Sequence, residues 1–118
     1  MAQHNDTGKT GEDQATRWFQ QQGYTVIHRN WVYRKYEIDL IAYKEDVLHF
    51  IEVKTRTSLG YGYPEEAVSK KKIENMMKCG EQYQLIEPQW KRIQYNILSI
   101  TLHKNGNTDY FLIEDIYC

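Results

Sequence analysis

The chain carries little sulfur: among 118 residues there are two cysteines, Cys79 and Cys118, far apart and without CxxC spacing. That excludes the crowded framework of a small disulfide-stapled secreted domain and leaves two reduced thiols. The four histidines, His4, His28, His49 and His103, lack the paired spacing of a zinc site. No apolar run approaches the roughly 20 residues that a membrane-spanning helix needs, so neither a membrane nor a transmembrane role is expected. An excess of charge of one sign is also missing. With 15 Lys and Arg against 16 Asp and Glu, the formal charge is -1, which argues against an indiscriminate DNA coat protein held by many phosphate contacts. The polar stretch Met1 to Asp13 has no apolar segment or small-residue cleavage site of a secretory signal, so the expected location is cytoplasmic. Gly8-Lys9-Thr10 imitates the end of a phosphate-binding loop, but no strand precedes it.

What is present is enough for one core: 41% of the residues are hydrophobic and 14% aromatic. Residues 1–118 are therefore expected to form a single domain. From Thr10, the spacing of Ala15, Trp18 and Phe19, with Gly23 as a stop, predicts an amphipathic helix. Tyr24 to Asn30 reads as a strand, followed by an aromatic and basic tract, Trp31 to Tyr36. Glu37 to Tyr43 and Val47 to Thr55 read as a β-hairpin. Gly60, Gly62 and Pro64 punctuate a loop. Ser69 then caps a helix to about Leu85, with Ile73, Met76, Met77, Gly80 and Tyr83 on one stripe. Arg92 to Leu102 and Thr108 to Ile113 are strands, and Asn105-Gly106 between them suits a type I′ turn. The expected class is α/β, a central mixed sheet flanked by helices in the order α-β-β-β-α-β-β.

Two acids interrupt otherwise apolar strands, Asp39 and Glu52. A buried carboxylate opposes folding unless something compensates it. Alternation places Glu52 and Lys54 on one face, with Ile51 and Val53 on the other. A turn at Glu45-Asp46 pairs residues whose numbers sum to 91 and sets Asp39 across from Glu52, Cβ atoms roughly 5 Å apart. A turn at Lys44-Glu45, sum 89, makes the contact diagonal. A sum of 90 sends Asp39 to the other face. Two close carboxylates with no His or Cys beside them suit a hard divalent ion, Mg²⁺ or Mn²⁺. Such an ion polarises a phosphodiester oxygen while the Lys54 ammonium orients water or neutralises developing charge. The alternative is a structural ion-pair network of Asp39, Glu52 and Lys54.

The pattern D-x(12)-E-x-K at Asp39, Glu52 and Lys54 resembles the active-site signature of the PD-(D/E)xK nuclease superfamily. GEDQA at Gly11 to Ala15, NW at Asn30-Trp31, EIDLIA at Glu37 to Ala42, IEVKTR at Ile51 to Arg56 and YPEEAV with its following lysines at Tyr63 to Lys72 together resemble the YraN family. These are small bacterial proteins similar to Holliday-junction resolvases. The resemblance implies a restriction-endonuclease-like core, Asp39 and Glu52 as metal ligands for Mg²⁺ or Mn²⁺, Lys54 as the catalytic amine and Glu12 as a further acidic residue near the ion. Glu37 is either a companion acid or a solvated partner of Lys54 or Arg34. The family's text often has Asp where this chain has Tyr95-Asn96.

The implied activity is endonucleolytic cleavage of branched or structured DNA, with a homodimer expected because resolvase-like enzymes cut symmetrically. The alternative is a catalytically silent nucleic-acid-binding module on the same scaffold. The expected phosphate contacts are Arg34 and Lys35 in one basic stretch, Lys70, Lys71 and Lys72 in another, and Arg56 after the hairpin. Trp31, Tyr33, Tyr61 and Tyr63 serve either as packing or as stacking surfaces for bases.

Overall fold

A computed structural model describes residues 3–57 and 69–116, with side chains described from Gly11 onward. Helix α1 (Gln3–Gln21) leads into strands β1 (Thr25–Tyr33), β2 (Tyr36–Lys44) and β3 (Val47–Thr57); helix α2 (Lys70–Ile86) then precedes β4 (Arg92–Leu102) and β5 (Thr108–Ile113). The strands form one sheet in sequence order. Only β3 and β4 run parallel, and the others pair antiparallel. A parallel step needs a long return connection, and α2 lies within it. The expected mixed α/β sheet and element order are thus present.

Each helix covers one face. Alternation along the strands separates two apolar layers. Ala15 and Phe19 of α1 pack with Leu40, Ala42, Ile51, Leu98 and Ile100. Met76, Cys79 and Tyr83 of α2 pack with Ile38, Ile41, Leu48, Phe50 and Tyr95. Fully burying side chains of this size contributes about 1.5–3 kcal/mol each, so the two layers fix the sheet between its helices. Among the described residues, no helix is long and apolar enough to cross a membrane.

Several boundaries depart from the sequence reading. Helix α1 begins at Gln3, ahead of the apolar spacing that starts with Ala15, because hydrophobic periodicity marks the buried stripe and not the full hydrogen-bonded backbone. It does stop at Gly23, which adopts φ +92 while Tyr24 N–H donates to the Phe19 carbonyl at 2.9 Å, a left-handed C-terminal cap. The aromatic tract is absorbed into β1 up to Tyr33, with Arg34 turning the chain at φ 57. The Asn105-Gly106 turn is not type I′. Only Gly106 has positive φ, and the longer loop is closed by His103 N–H donating to the Asn107 carbonyl and by Asn107 N–H donating to Asn105 Oδ1. That Asn side-chain bond substitutes for the left-handed backbone that a two-residue turn needs. The loop punctuation at Gly60, Gly62 and Pro64 lies outside the described residues, as do Tyr61 and Tyr63.

A carboxylate pocket at the start of the second helix

The β2–β3 hairpin settles the register. Leu40 pairs with Ile51, Ala42 with His49 and Lys44 with Val47, so the numbers sum to 91 and the turn is Glu45-Asp46. The paired ladder stops at Leu40 and Ile51, one row short of Asp39 and Glu52. Beyond it, Val53 N–H donates to Asp39 Oδ2 at 2.8 Å. A side chain therefore occupies the place where the neighbouring backbone would continue.

Alternation along β2 also breaks at this row. Ile38 joins the α2 layer, whereas Leu40 and Ala42 join the α1 layer. Across β1, Arg29 pairs with Leu40 and Trp31 with Ile38, which leaves Asn30 opposite Asp39. Asn30 has φ 54, a left-handed conformation that asparagine tolerates better than most residues.

Asp39 and Glu52 line one cavity of about 360 Å³ together with Lys35, Tyr36, Glu37, Lys72 and Asn75. Glu52 is 4% exposed. Its carboxylate Oε2 lies 2.7 Å from Lys72 Nζ. Burial, then the negative charge of Glu52, push the Asp39 carboxyl up to about 7. The Val53 N–H opposes that rise, and Glu12 and Glu37 add to it. Burial works against the Lys72 ammonium, but its hydrogen bond to Glu52 and the surrounding carboxylates raise it above the ordinary lysine value. The pocket is a partly desolvated site with two close carboxylates, one of them paired directly with a lysine from α2.

Ser69 explains why that lysine is there. Its hydroxyl accepts from Lys72 N–H at 3.1 Å, capping the helix as expected. The first turn of α2 thus ends at the cavity. Among the described residues, Asn75 Oδ1, one turn further on, is buried without a hydrogen-bond partner.

The other predicted positions divide. Lys35, Lys71 and Lys72 line the cavity. Lys70 is exposed at the first position of α2. Arg34 leaves it for the Tyr33 ring, 5.4 Å from the centroid. Arg56 is half-buried and pairs with Thr101 across the β3–β4 ladder. Lys54 is half-buried on β3 and stands outside the cavity lining, so the amine that meets Glu52 is that of Lys72. Glu12 is held on α1, where it accepts from Asn30 Nδ2 at 3.0 Å and lies 4.0 Å from Arg29; it reaches Asp39 through its field. Glu37, exposed, lines the cavity. Trp31 is packing: its ring meets Tyr83 edge-on at 5.1 Å.

Asn96 belongs elsewhere. It is fully buried, with Nδ2 2.9 Å from His49 Nδ1 and Oδ1 accepting from Asp115 N–H at 3.0 Å. It pairs with Ile51, whose side chain serves the α1 layer. The departure at Tyr95-Asn96 therefore removes no acid from the cavity. Burial lowers the His49 imidazole, with Lys44 assisting and Glu114 opposing. Neutral His49 accepts the amide proton at Nδ1.

Among the described residues, no group of three His, Cys, Asp or Glu side chains could by itself hold a metal ion. The carboxylates that line the cavity are those of Asp39 and Glu52, with the exposed Glu37 at its lining as well. That set of hard oxygen donors fits Mg²⁺ or Mn²⁺, which keep several waters, and not zinc.

The sequence matches the family model described as "Uncharacterised protein family UPF0102" over residues 11–100. It is similar to a UPF0102 protein of Flavobacterium psychrophilum, 39% identical over 100 residues, which cover 85% of this chain and 84% of the relative. A UPF0102 protein of Flavobacterium johnsoniae is 39% identical over 120 residues, covering 98% and 94% of the two chains. One of Bacteroides thetaiotaomicron is 36% identical over 107 residues, covering 91% and 88%.

Proposed function

The chain belongs to the UPF0102 family, and we propose that it is a Mg²⁺-dependent endonuclease that hydrolyses phosphodiester bonds in branched or structured DNA. In this reading its sheet is a restriction-endonuclease-like core of the PD-(D/E)xK kind, as the YraN resemblance implies, working in the cytoplasm as a symmetric homodimer. The observation that carries the reading is the pair Asp39 and Glu52 in one cavity, with the Asp39 carboxyl raised to about 7 by burial and by its neighbour. Such crowding is relieved by a proton or by a hard cation.

Asp39 and Glu52 would hold the ion. When bound, Mg²⁺ or Mn²⁺ supplies Lewis-acid polarisation of the phosphodiester oxygen. The protein's own part is positional. Val53 N–H fixes the Asp39 carboxylate, leaving its other oxygen to the cavity. Lys35, Lys71 and Lys72 at the cavity offer ammonium groups to the phosphates of the strand, with Arg34, Lys70 and Arg56 as outlying cations. Lys54, outside the cavity lining on β3, would have to reach in to orient the attacking water or neutralise charge on the phosphorane. The water oxygen bonds to phosphorus, the bond from phosphorus to the leaving sugar oxygen breaks, and one water proton goes to that alcohol.

The test is cleavage of junction, flap and single-strand DNA with Mg²⁺ or Mn²⁺ by wild type, Asp39→Ala and Lys54→Ala. We expect cleavage by wild type and a loss of at least about 100-fold in each variant. Activity surviving both substitutions removes the assignment.

One observation favours a second reading, a catalytically silent nucleic-acid-binding module: the Glu52 carboxylate already has a lysine counter-ion. That reading requires salt-sensitive DNA binding without turnover. Metal-dependent cleavage that tracks with the purified chain rejects it.

A further inference from the structure

The contact between Lys72 and Glu52 was not foreseen from sequence, where the amine was assigned to Lys54. Lys72 Nζ sits 2.7 Å from Glu52 Oε2, and the two side chains are unequally placed: that of Glu52 is almost wholly buried, whereas that of Lys72 is 47% exposed. The acid is fixed in the floor of the cavity, whereas the long lysine stem reaches in from a helix end with its base in water. One partner can leave without unfolding anything.

We propose that a divalent ion enters the Asp39–Glu52 site by exchange with Lys72, whose ammonium is the built-in counter-ion of the ion-free pocket and swings out toward substrate phosphate when displaced. This deepens the reading above, since it rests on Asp39 and Glu52 binding the ion. The argument is competitive. Glu52 Oε2 cannot hold the Lys72 ammonium and a cation in the same place, and two positive charges inside one small cavity repel. Lys72 therefore sets ion affinity. Lys71 also lines the cavity, but only Lys72 meets Glu52 among the ion pairs of the described residues. The two lysines separate direct exchange from the general field of a nearby cation. After exchange, Lys72 lies on the exposed helix end, in position for an oxygen of the strand being cut.

The test is calorimetric titration of Mn²⁺ into the full chain without DNA, for wild type, Lys72→Met, Lys71→Met, Lys54→Met and Glu52→Gln. Lys72→Met should bind Mn²⁺ roughly fivefold more tightly, the order expected on removing a competing ion pair. Lys71→Met should change affinity less, Lys54→Met little, and Glu52→Gln should lose binding. Equal effects at Lys71 and Lys72, or weaker binding by Lys72→Met, overturn the exchange while leaving the ion site standing. If wild type takes up no Mn²⁺, the ion reading and the exchange fall together. A second measurement avoids dependence on the folding of the variants: the side-chain NMR signal of Lys72 in wild type should shift on adding Mg²⁺, with the Lys71 signal moving less. A Lys72 signal that stays put while Mg²⁺ binds overturns the proposal.

Discussion

The two faces of the sheet treat their polar groups in opposite ways. On the α1 face, Asn96 is fully buried and its amide is used at both ends, by His49 and by the Asp115 backbone. On the α2 face, Asp39 and Glu52 share a cavity of about 360 Å³, and one lysine, Lys72, pairs directly with Glu52. The first arrangement is complete and specifies packing. The second sets two close carboxylates next to space, with Glu52 paired to Lys72 and Asp39 held by the Val53 N–H, which opposes folding and suits a ligand. The difference teaches that burial of a polar group does not by itself mark a site; what marks it is compensation left incomplete.

Substitution on the complete side has the largest expected effect. Asn96→Ala leaves His49 Nδ1 and the Asp115 N–H without partners, and should cost about 3 kcal/mol of stability in urea unfolding. Mn²⁺ affinity of the folded fraction should not change; a lost ion would tie the two faces together. On the cavity side, Mn²⁺ at 100 times its dissociation constant should stabilise wild type by about 2.7 kcal/mol and Glu52→Ala not at all, read as a shift in melting temperature.

Acid should separate the faces by sign. Asp39 accepts its proton at a higher pH folded than unfolded, so the ion-free protein is most stable below about 3.9 as far as this group is concerned and loses stability as pH climbs to about 7. His49 behaves conversely. Its folded value lies below the ordinary one, so its contribution is present above about 6.5 and lost as pH falls through the folded value. Asp39→Asn should therefore gain on the order of 2 kcal/mol over wild type at pH 8, with the gain vanishing near pH 4. A constant difference across pH would mean that the carboxylate is not crowded. The smallest effect is expected at Ser69→Ala, where losing the cap should cost about 1 kcal/mol. That variant should also loosen the placement of Lys72, and calorimetry would read this as a modest change in Mn²⁺ affinity.

Much of this was legible in the chain itself. The element order, the hairpin and the Ser69 cap follow from apolar spacing and turn residues, which are local signals, whereas the register stayed open between sums of 91, 89 and 90 until the β2–β3 pairing was known. Asp39 and Glu52 were visible because each breaks an apolar strand. Lys72 was legible only as a phosphate contact and Asn75 not at all, since nothing in Lys70-Lys71-Lys72 tells which amine will touch a carboxylate on β3; that depends on how the connection to β4 lays α2 on the sheet. The helix start at Gln3 escaped because Gln3 to Lys9 carry no apolar period. The departure at Tyr95-Asn96 was open to two readings, a lost acidic contact or one that never mattered, because strand parity in β4 cannot be assigned to a helix layer before the parallel register is known.

The reversal of alternation at Asp39 reaches further than the cavity. Ile38 and Leu40 supply opposite layers while Asp39 stands between them, anchored to Val53. A one-residue insertion or deletion in this stretch could not be repaired by local slippage, because it would swap the clientele of both helices at once and carry the carboxylate with it. The acid is thus indexed to the hydrophobic layers like a tooth in a gear, and drift at this position is constrained by folding even where catalysis imposes nothing.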